Sequence, residues 1–388
     1  MIADRFSSTR WKEDDMSNLQ AVAAAGQSVW SDQISRRMLD SGELDRRIRH
    51  DAVTGVTSNP SIFAGAIVGS SEYDEQLRDM ASRDASVTEI VAALMTADLQ
   101  RACDALRSVW ERRGGRDGHV SVEVDPELAH DTDGTVAEAR EWVKRIDRPN
   151  LLVKVPATPA GIPAIAALIG EGISINVTLI FSLERYADVM EAYLTGLERF
   201  RDDGGNISEV ASVASFFVSR FDTEVDARLE AIGTPEALAL RGTAAVANAR
   251  AAYEDFLTTF RGERWQRLAA AGGRVQRPLW ASTSTKNPSY SDILYVEHLV
   301  APHTVNTMPP ATIDAYQDHG PDPAPIIGPE EFAGARNALD ALATIGIDYD
   351  EVVQVLEDEG VDKFIASWRD VLADVERTVA GFRGDAAP

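Results

Sequence analysis

Cysteine is almost absent from this sequence: Cys103 is the single one in 388 residues, so no intrachain disulfide can form. Such sparing use fits a reducing compartment, and the cytoplasm is the expected location. Long apolar runs are missing too. Nothing approaches the ~18 residues of a membrane span, and the start, with Asp4, Arg5, Lys12, Glu13, Asp14 and Asp15, has no apolar signal-peptide core. Basic residues are scarce relative to acidic ones, 38 against 62, for a formal charge of −24. That balance argues against nucleic acid as a partner. An anionic small substrate would need a local basic site set against the general field. Tandem repeats of the solenoid kind are also lacking.

What is present is enough apolar material, 44% of the chain, for a sizeable core. Residues 1–17 are polar and without periodicity, and are expected to be a loose N-terminal segment. From residue 18 to 388 the pattern alternates short apolar runs with helical stretches. The strands expected are Ser28–Asp32, Val53–Ser58, His119–Asp125, Asn150–Pro156, Ser174–Phe181, Val210–Val218, Pro278–Thr283 and Thr304–Asn306. Eight strands separated mostly by helices, with no break in composition, predict an α/β fold: a single (β/α)8 TIM barrel. A doubly wound open sheet is the alternative. The spacing is stretched twice. A helical insertion of two or three helices is expected at about 221–276, between strands 6 and 7, and extra C-terminal helices follow strand 8. In the last of these, Phe364, Ile365, Trp368 and Leu372 make an apolar face that suits either a second copy of the chain or the barrel itself. Monomer and homodimer therefore both remain open.

One lysine is out of place. In Asn150-Leu-Leu-Val-Lys-Val-Pro156 the apolar residues occupy both parities, so both faces of the strand should be buried. An ammonium group there is costly to desolvate, and an amine relieved of its proton can attack a carbonyl, as Schiff-base catalysis requires. The competing explanation is an edge strand, or a lysine snorkelling from a strand end.

In a barrel the chemistry lies at the C-terminal ends of the strands, so polar residues there count for more than polar residues on helices. Asp32 ends the first strand, Asn59 follows the second, Glu123 lies in the third, and Asn176 and Thr178 share one face of the fifth. A lysine with two carboxylates and several hydrogen-bonding groups suits an enzyme that forms an imine and then moves protons. Each residue also has a structural explanation. Asp32 could cap the following helix, Asn59 before Pro60 could be a turn residue, Glu123 could simply pair with Lys154, and Asn176 and Thr178 could be ordinary barrel-layer residues. Their coincidence on successive strands favours chemistry.

Four segments carry a wider resemblance: Val56-Thr-Ser-Asn-Pro-Ser-Ile62, Val120-Ser-Val-Glu-Val-Asp125, Leu152-Val-Lys-Val-Pro-Ala-Thr158 and Ile175-Asn-Val-Thr-Leu-Ile-Phe-Ser182. In order and spacing they resemble transaldolases of the longer bacterial form, from about residue 18 onward. The resemblance implies transfer of a dihydroxyacetone unit from sedoheptulose 7-phosphate to glyceraldehyde 3-phosphate in the non-oxidative pentose phosphate pathway, with no metal or organic cofactor. It implies that Lys154 forms the Schiff base, that Asp32 is the acid/base of C–C cleavage, and that Glu123 and Thr178 move protons through a water. Asn59 and Asn176 would hold the dihydroxyacetone hydroxyls.

In Ala214-Ser-Phe-Phe-Val-Ser-Arg-Phe221, Ser215 and Arg220 resemble the substrate- and phosphate-binding pair. In Ala281-Ser-Thr-Ser-Thr-Lys-Asn287, Ser282 and Lys286 would complete the phosphate site, although the local spacing departs from that of the shorter forms. Sugar phosphates are thus the implied partners, and Arg220 and Lys286 the local cations an acidic protein would need. Lys286 could instead be a surface ion-pair partner. The insertion either shapes the phosphate end of the site or only lengthens a loop. The related fructose-6-phosphate aldolases resemble a shorter barrel with glutamine in place of Glu123 and tyrosine in place of Phe217, so both residues favour transfer. A catalytically silent barrel that binds sugar phosphates would lack the lysine or an acid; this chain lacks neither.

Overall fold

All six residues of the Lys154 strand are buried, as its two-sided apolar pattern requires. The structure, a computed structural model, describes residues 16–83, 85–326 and 328–385; most of the N-terminal segment expected to be loose, 1–15, lies outside them. The strands are β1 (Gln27–Ser31), β2 (Val53–Val56), β3 (Val120–Glu123), β4 (Leu151–Pro156), β5 (Ile175–Ile180), β6 (Ser212–Phe217), β7 (Arg277–Ala281) and β8 (Thr304–Met308). They run parallel and close in sequence order, with β8 paired back onto β1, so the Lys154 strand has a hydrogen-bonded neighbour on each side. Closure removes the edge-strand explanation for Lys154, and the open-sheet alternative with it.

Before β2 come α1 (Asn18–Ala24), α2 (Arg36–Asp40) and α3 (Glu43–His50), and between β2 and β4 come α4 (Pro60–Ile67), α5 (Asp74–Ser82), α6 (Val87–Arg112) and α7 (Thr132–Ile146). Helices α8 (Gly161–Ile169) and α9 (Leu183–Asp202) flank β5. Between β6 and β7 lie four helices: α10 (Ser219–Ile232), α11 (Pro235–Leu238), α12 (Ala244–Thr259) and α13 (Glu263–Ala270). Then come α14 (Leu294–Glu297), α15 (Pro310–His319), α16 (Pro329–Thr344) and the 37-residue α17 (Tyr349–Asp385). The apolar face of α17 packs on the barrel: Phe364 and Trp368 are buried, and Ile365 and Leu372 lie against the same core.

Several boundaries differ from the sequence pattern, each for a local reason. Asn59-Pro60, which the sequence offers as a turn, instead opens α4, because Asn59 accepts a hydrogen bond from the Ile62 amide and Pro60 occupies the first helical position. Strand β7 stops at Ala281 rather than Thr283 because Ser282 takes a left-handed conformation, φ 56°. Cys103 sits buried in α6, where burial pushes its thiol up to about 12. Its backbone carbonyl and that of Gly118 both accept from the Asn150 side chain, which fixes the start of β4.

Side chains at alternate positions of β1 point to one face. Ser28 and Trp30 lie towards the floor, the N-terminal end of the strands, and Asp32 towards the mouth. The floor is closed by Trp30 and by Asp117 from the turn before β3. Asp117 accepts from Trp30 Nε1 at 2.8 Å and from Ser28 Oγ at 2.5 Å, with Arg277 beside it at 3.5 Å. Gly55 leaves the space for the Trp30 ring; a Cβ there would come within 2.4 Å of it.

Candidate active site

At the mouth the strand register sets Glu123 opposite Lys154, and Lys154 opposite Asn176. Lys154 is 5% exposed, and its Nζ donates to Glu123 Oε2 and to the Ser58 carbonyl, each at 3.0 Å. The pairing weighed from the sequence is therefore real. An ion pair alone does not account for the surroundings, because a cavity of about 130 Å³ opens beside the amine. Asp32, Asn59, Lys154, Thr178, Ser215, Arg220, Ser282 and Lys286 all line it. Asn176 and Glu123 stand just behind that lining. Asn176 donates to Ser121 Oγ at 3.0 Å and accepts from Ser215 Oγ at 2.7 Å, so its amide is oriented from both sides.

Asp32 does not cap a helix; that role in α2 falls to Ser35. Its carboxylate accepts from Thr57 Oγ1 at 2.6 Å, and Thr57 is in turn 2.6 Å from Thr307 Oγ1. Burial pushes the Asp32 carboxyl above its ordinary range, and the Thr57 bond and the charges of Lys154, Lys286 and Arg220 pull it back only in part. Glu123 is raised for the same first reason, partly offset by Lys154. Two acids whose protonated forms burial favours thus stand near one amine. Thr178 Oγ1 is buried and has no hydrogen-bond partner among the described residues. A buried hydroxyl without a partner is costly, and here it is within reach of the cavity.

Arg220, in the first turn of α10, lies between two rings. Its guanidinium carbon is 5.1 Å from the Phe217 centroid and 5.8 Å from that of Phe364. Its Nη1 is buried without a partner, and burial lowers the affinity of the group for its proton. Lys286 is not a surface ion-pair partner; its Nζ donates to Ser284 Oγ at 2.6 Å, and no carboxylate pairs with it among the described residues. The side chain is exposed overall, but partial desolvation of its amine and the nearby Arg220 charge both push its pKa down. Ser282 Oγ is 2.8 Å from Ser219 Oγ, which joins the end of β7 to the start of α10. Two cations with spare donors and an amine accompanied by two acids, gathered around one cavity, suit a substrate with a carbonyl and an anionic tail.

The sequence reading missed Thr57, Thr307 and Phe364. Thr57 lay within a quoted motif and could have been found by its parity with Gly55. Phe364 is 5.7 Å from Lys154 Nζ by its ring centroid, yet it comes from α17, and nothing local to that helix points to the site. A larger groove of about 320 Å³ lies between α4, α5 and α17, but its charged lining is already engaged in the surface pairs Arg377–Asp374 and Arg78–Asp74. Among the described residues no group of three His, Cys, Asp or Glu side chains could hold a metal, and no helix is long and apolar enough to cross a membrane.

Comparison with known proteins agrees with this geometry. The chain is 55% identical to "Transaldolase 1" of Streptomyces coelicolor over 361 residues, 93% of this chain and 94% of that protein. It is 55% identical to "Transaldolase" of Mycolicibacterium smegmatis, over 92% of this chain and 95% of the relative. The corresponding Parafrankia protein, also named "Transaldolase", is 55% identical over 91% and 96%. The sequence profile described as Transaldolase/Fructose-6-phosphate aldolase matches residues 29–375, most of the barrel and its C-terminal helix. The chain belongs to the transaldolase/fructose-6-phosphate aldolase family.

Proposed function

We propose that the protein is a transaldolase that moves a dihydroxyacetone unit from sedoheptulose 7-phosphate to glyceraldehyde 3-phosphate, giving erythrose 4-phosphate and fructose 6-phosphate. The observation that carries the reading is the Lys154 amine, held at 3.0 Å by both Glu123 and the Ser58 carbonyl at the edge of the cavity. The amine adds to the ketose carbonyl. Glu123, through a water held by Thr178, protonates the hydroxyl that leaves as water, and a protonated imine forms. Asp32 takes the proton of the C4 hydroxyl as the C3–C4 bond breaks; the shortened aldehyde departs, and the electron pair stays as an enamine on Lys154.

Asn59, Asn176 and Ser215 hold the hydroxyls of the retained three-carbon unit, while Arg220, Ser282 and Lys286 hold the phosphate. The acceptor aldehyde then meets the enamine carbon, Asp32 returns its proton to the new hydroxyl, and water hydrolyses the imine. Cellular sugar phosphates as substrates fit the sparing use of cysteine, and the cytoplasm as the place of work. Phe217 favours transfer over release of free dihydroxyacetone, because an apolar ring supplies no proton to the waiting enamine.

Borohydride reduction in the presence of fructose 6-phosphate, followed by peptide mapping, tests the reading. We expect a gain of one dihydroxyacetone unit on the peptide holding Lys154. A folded protein with no adduct under excess ketose would point instead to a silent sugar-phosphate-binding barrel. Free dihydroxyacetone produced without acceptor as fast as transfer proceeds would make the protein an aldolase.

A further inference from the structure

Of the helices between β6 and β7, α11 and α12 pack against α10. That helix carries Arg220 in its first turn, and its Asp222 and Asp226 are four apart, so they project to the same side. Both are buried, at 2% and 7% exposure, and neither has a cationic partner among the described residues. Each instead accepts two hydrogen bonds of matching origin. Asp222 takes the Tyr295 hydroxyl at 2.8 Å and the Ala245 amide at 2.7 Å. Asp226 takes the Tyr290 hydroxyl at 2.6 Å and the Gly242 amide at 2.9 Å. The tyrosines belong to the β7-to-β8 connection, and the amides to the turn and first residues of α12. Three segments distant in sequence are thus clasped twice, at successive turns of one helix.

Gly242 shows how closely the parts fit. Its φ is +70°, and a Cβ there would lie 2.9 Å from Tyr290 Cζ. Only glycine brings this amide to Asp226 while the tyrosine ring lies across it. Tyr290 is also tied back to the loop that carries Lys286: its amide donates to the Asn287 carbonyl at 3.1 Å, and Thr285 Oγ1 donates to the Ser291 carbonyl at 2.7 Å. Lys286 itself is exposed and touches only Ser284 by hydrogen bond, so its place is set by its loop and not by packing of its own side chain. Its charge faces that of Arg220, and like charges separate unless they are restrained.

We infer that Asp222, Asp226, Tyr290 and Tyr295 are positioning residues that lock the Lys286 loop onto the Arg220 helix, and that this double clasp sets the enzyme's preference for phosphorylated over unphosphorylated sugars. The inference rests on the proposed reading of Arg220 and Lys286 as the phosphate ligands. It gives the segment between β6 and β7 a role: Gly242 and Ala245 supply the amides that orient both carboxylates. None of the clasp residues lines the cavity, so their loss should be felt through the placement of Lys286 and Arg220.

The test uses the full chain with sedoheptulose 7-phosphate as saturating donor and two acceptors, glyceraldehyde 3-phosphate and unphosphorylated glyceraldehyde, with release of erythrose 4-phosphate as the readout. Tyr290→Phe removes only the hydroxyl; Gly242→Ala pushes on the same ring from the α12 side. For both we expect KM for glyceraldehyde 3-phosphate to rise by about tenfold, with KM for glyceraldehyde and kcat changed by less than about twofold. Lys286→Met provides the reference. In that background Tyr290→Phe should add little further loss, since both act on one contact.

Equal effects of Tyr290→Phe on the two acceptors would overturn the inference and make the clasp structural only. If Lys286→Met abolishes the preference for the phosphorylated acceptor while Tyr290→Phe leaves it intact, the phosphate reading stands and the clasp fails. If Lys286→Met itself leaves the preference intact, the phosphate reading fails first. Melting curves recorded alongside separate misfolding of Gly242→Ala from a kinetic effect, and Tyr290→Phe carries the decision if that variant is unstable.

Discussion

Asp117 is buried and Asp32 half-buried, at opposite ends of one barrel, and their carboxyls are displaced in opposite directions. Burial raises both. At the floor, Arg277 and the donors of Ser28, Trp30 and Thr54 more than offset it, and Asp117 ends below its ordinary range. At the mouth, one hydroxyl and three more distant cations do not suffice, and Asp32 ends above. The same residue type is an anchor where partners are plentiful and, in the proposed mechanism, a proton carrier where they are few. Thr178 and Arg220, with buried atoms left unpaired, belong to the second condition.

Exchanging the two carboxylates for amides should break this comparison most sharply. Asp32→Asn is expected to lower kcat by about 10²- to 10⁴-fold while the melting temperature holds or rises, because a costly buried acid is gone. Asp117→Asn leaves the Arg277 charge short of its counter-ion and should cost about 3–5 kcal/mol in urea unfolding, with kcat per folded molecule preserved. Equal destabilisation by the two substitutions would sink the distinction. In the wild type, the acid limb of kcat/KM should lie above the ordinary carboxylate range, as the raised Asp32 and Glu123 dictate.

His119 sharpens the floor's side of the contrast. Burial first, and the Arg277 charge with it, pushes the imidazole down to about 4 despite Asp117. A histidine depressed on folding contributes stability that is complete above its unfolded value near 6.5 and is lost as pH falls from there through 4, in total about 3 kcal/mol. His119→Gln should remove that slope from unfolding curves recorded between these pH values; an unchanged slope would place the acid sensitivity elsewhere.

Thr178→Val sharpens the mouth's side, since its hydroxyl has no partner to lose. Stability should move by less than about 1 kcal/mol, while the rate of borohydride-trappable imine formation falls by about tenfold or more. The smallest effect is expected away from both ends. Ser86 caps α6 in a reciprocal arrangement with Glu89, and Ser86→Ala should cost about 1 kcal/mol of stability with no kinetic change.

How much of this was legible in the sequence depended on whether the signal was local. Strands β4 and β5 could be read almost to the residue, because their apolar residues fill both parities and the polar exceptions, Lys154, Asn176 and Thr178, stand out against them. Helix α4 was missed although its Asn59 cap and Pro60 are start signals, since the same two residues also spell a turn. The end of β7 escaped because nothing in Ala281-Ser-Thr announces a left-handed serine. Phe364 was seen only as part of an apolar face, for an amphipathic helix looks the same whichever surface it covers. Nothing local singles out Asp222 and Asp226, because their tyrosine partners are more than sixty residues away in the chain.

The wall that Phe364 provides has a consequence in time. A chain growing from its N-terminus can close the barrel once β8 emerges, but it has no ring over Lys154 and Arg220 until α17 follows. At about 5–20 residues per second, the stretch from Met308 to Phe364 takes on the order of 3–10 seconds to synthesise. For that interval a nascent chain lacks this ring, so the wall of the cavity is completed last, with the helix that also clips Trp368 to Asp125.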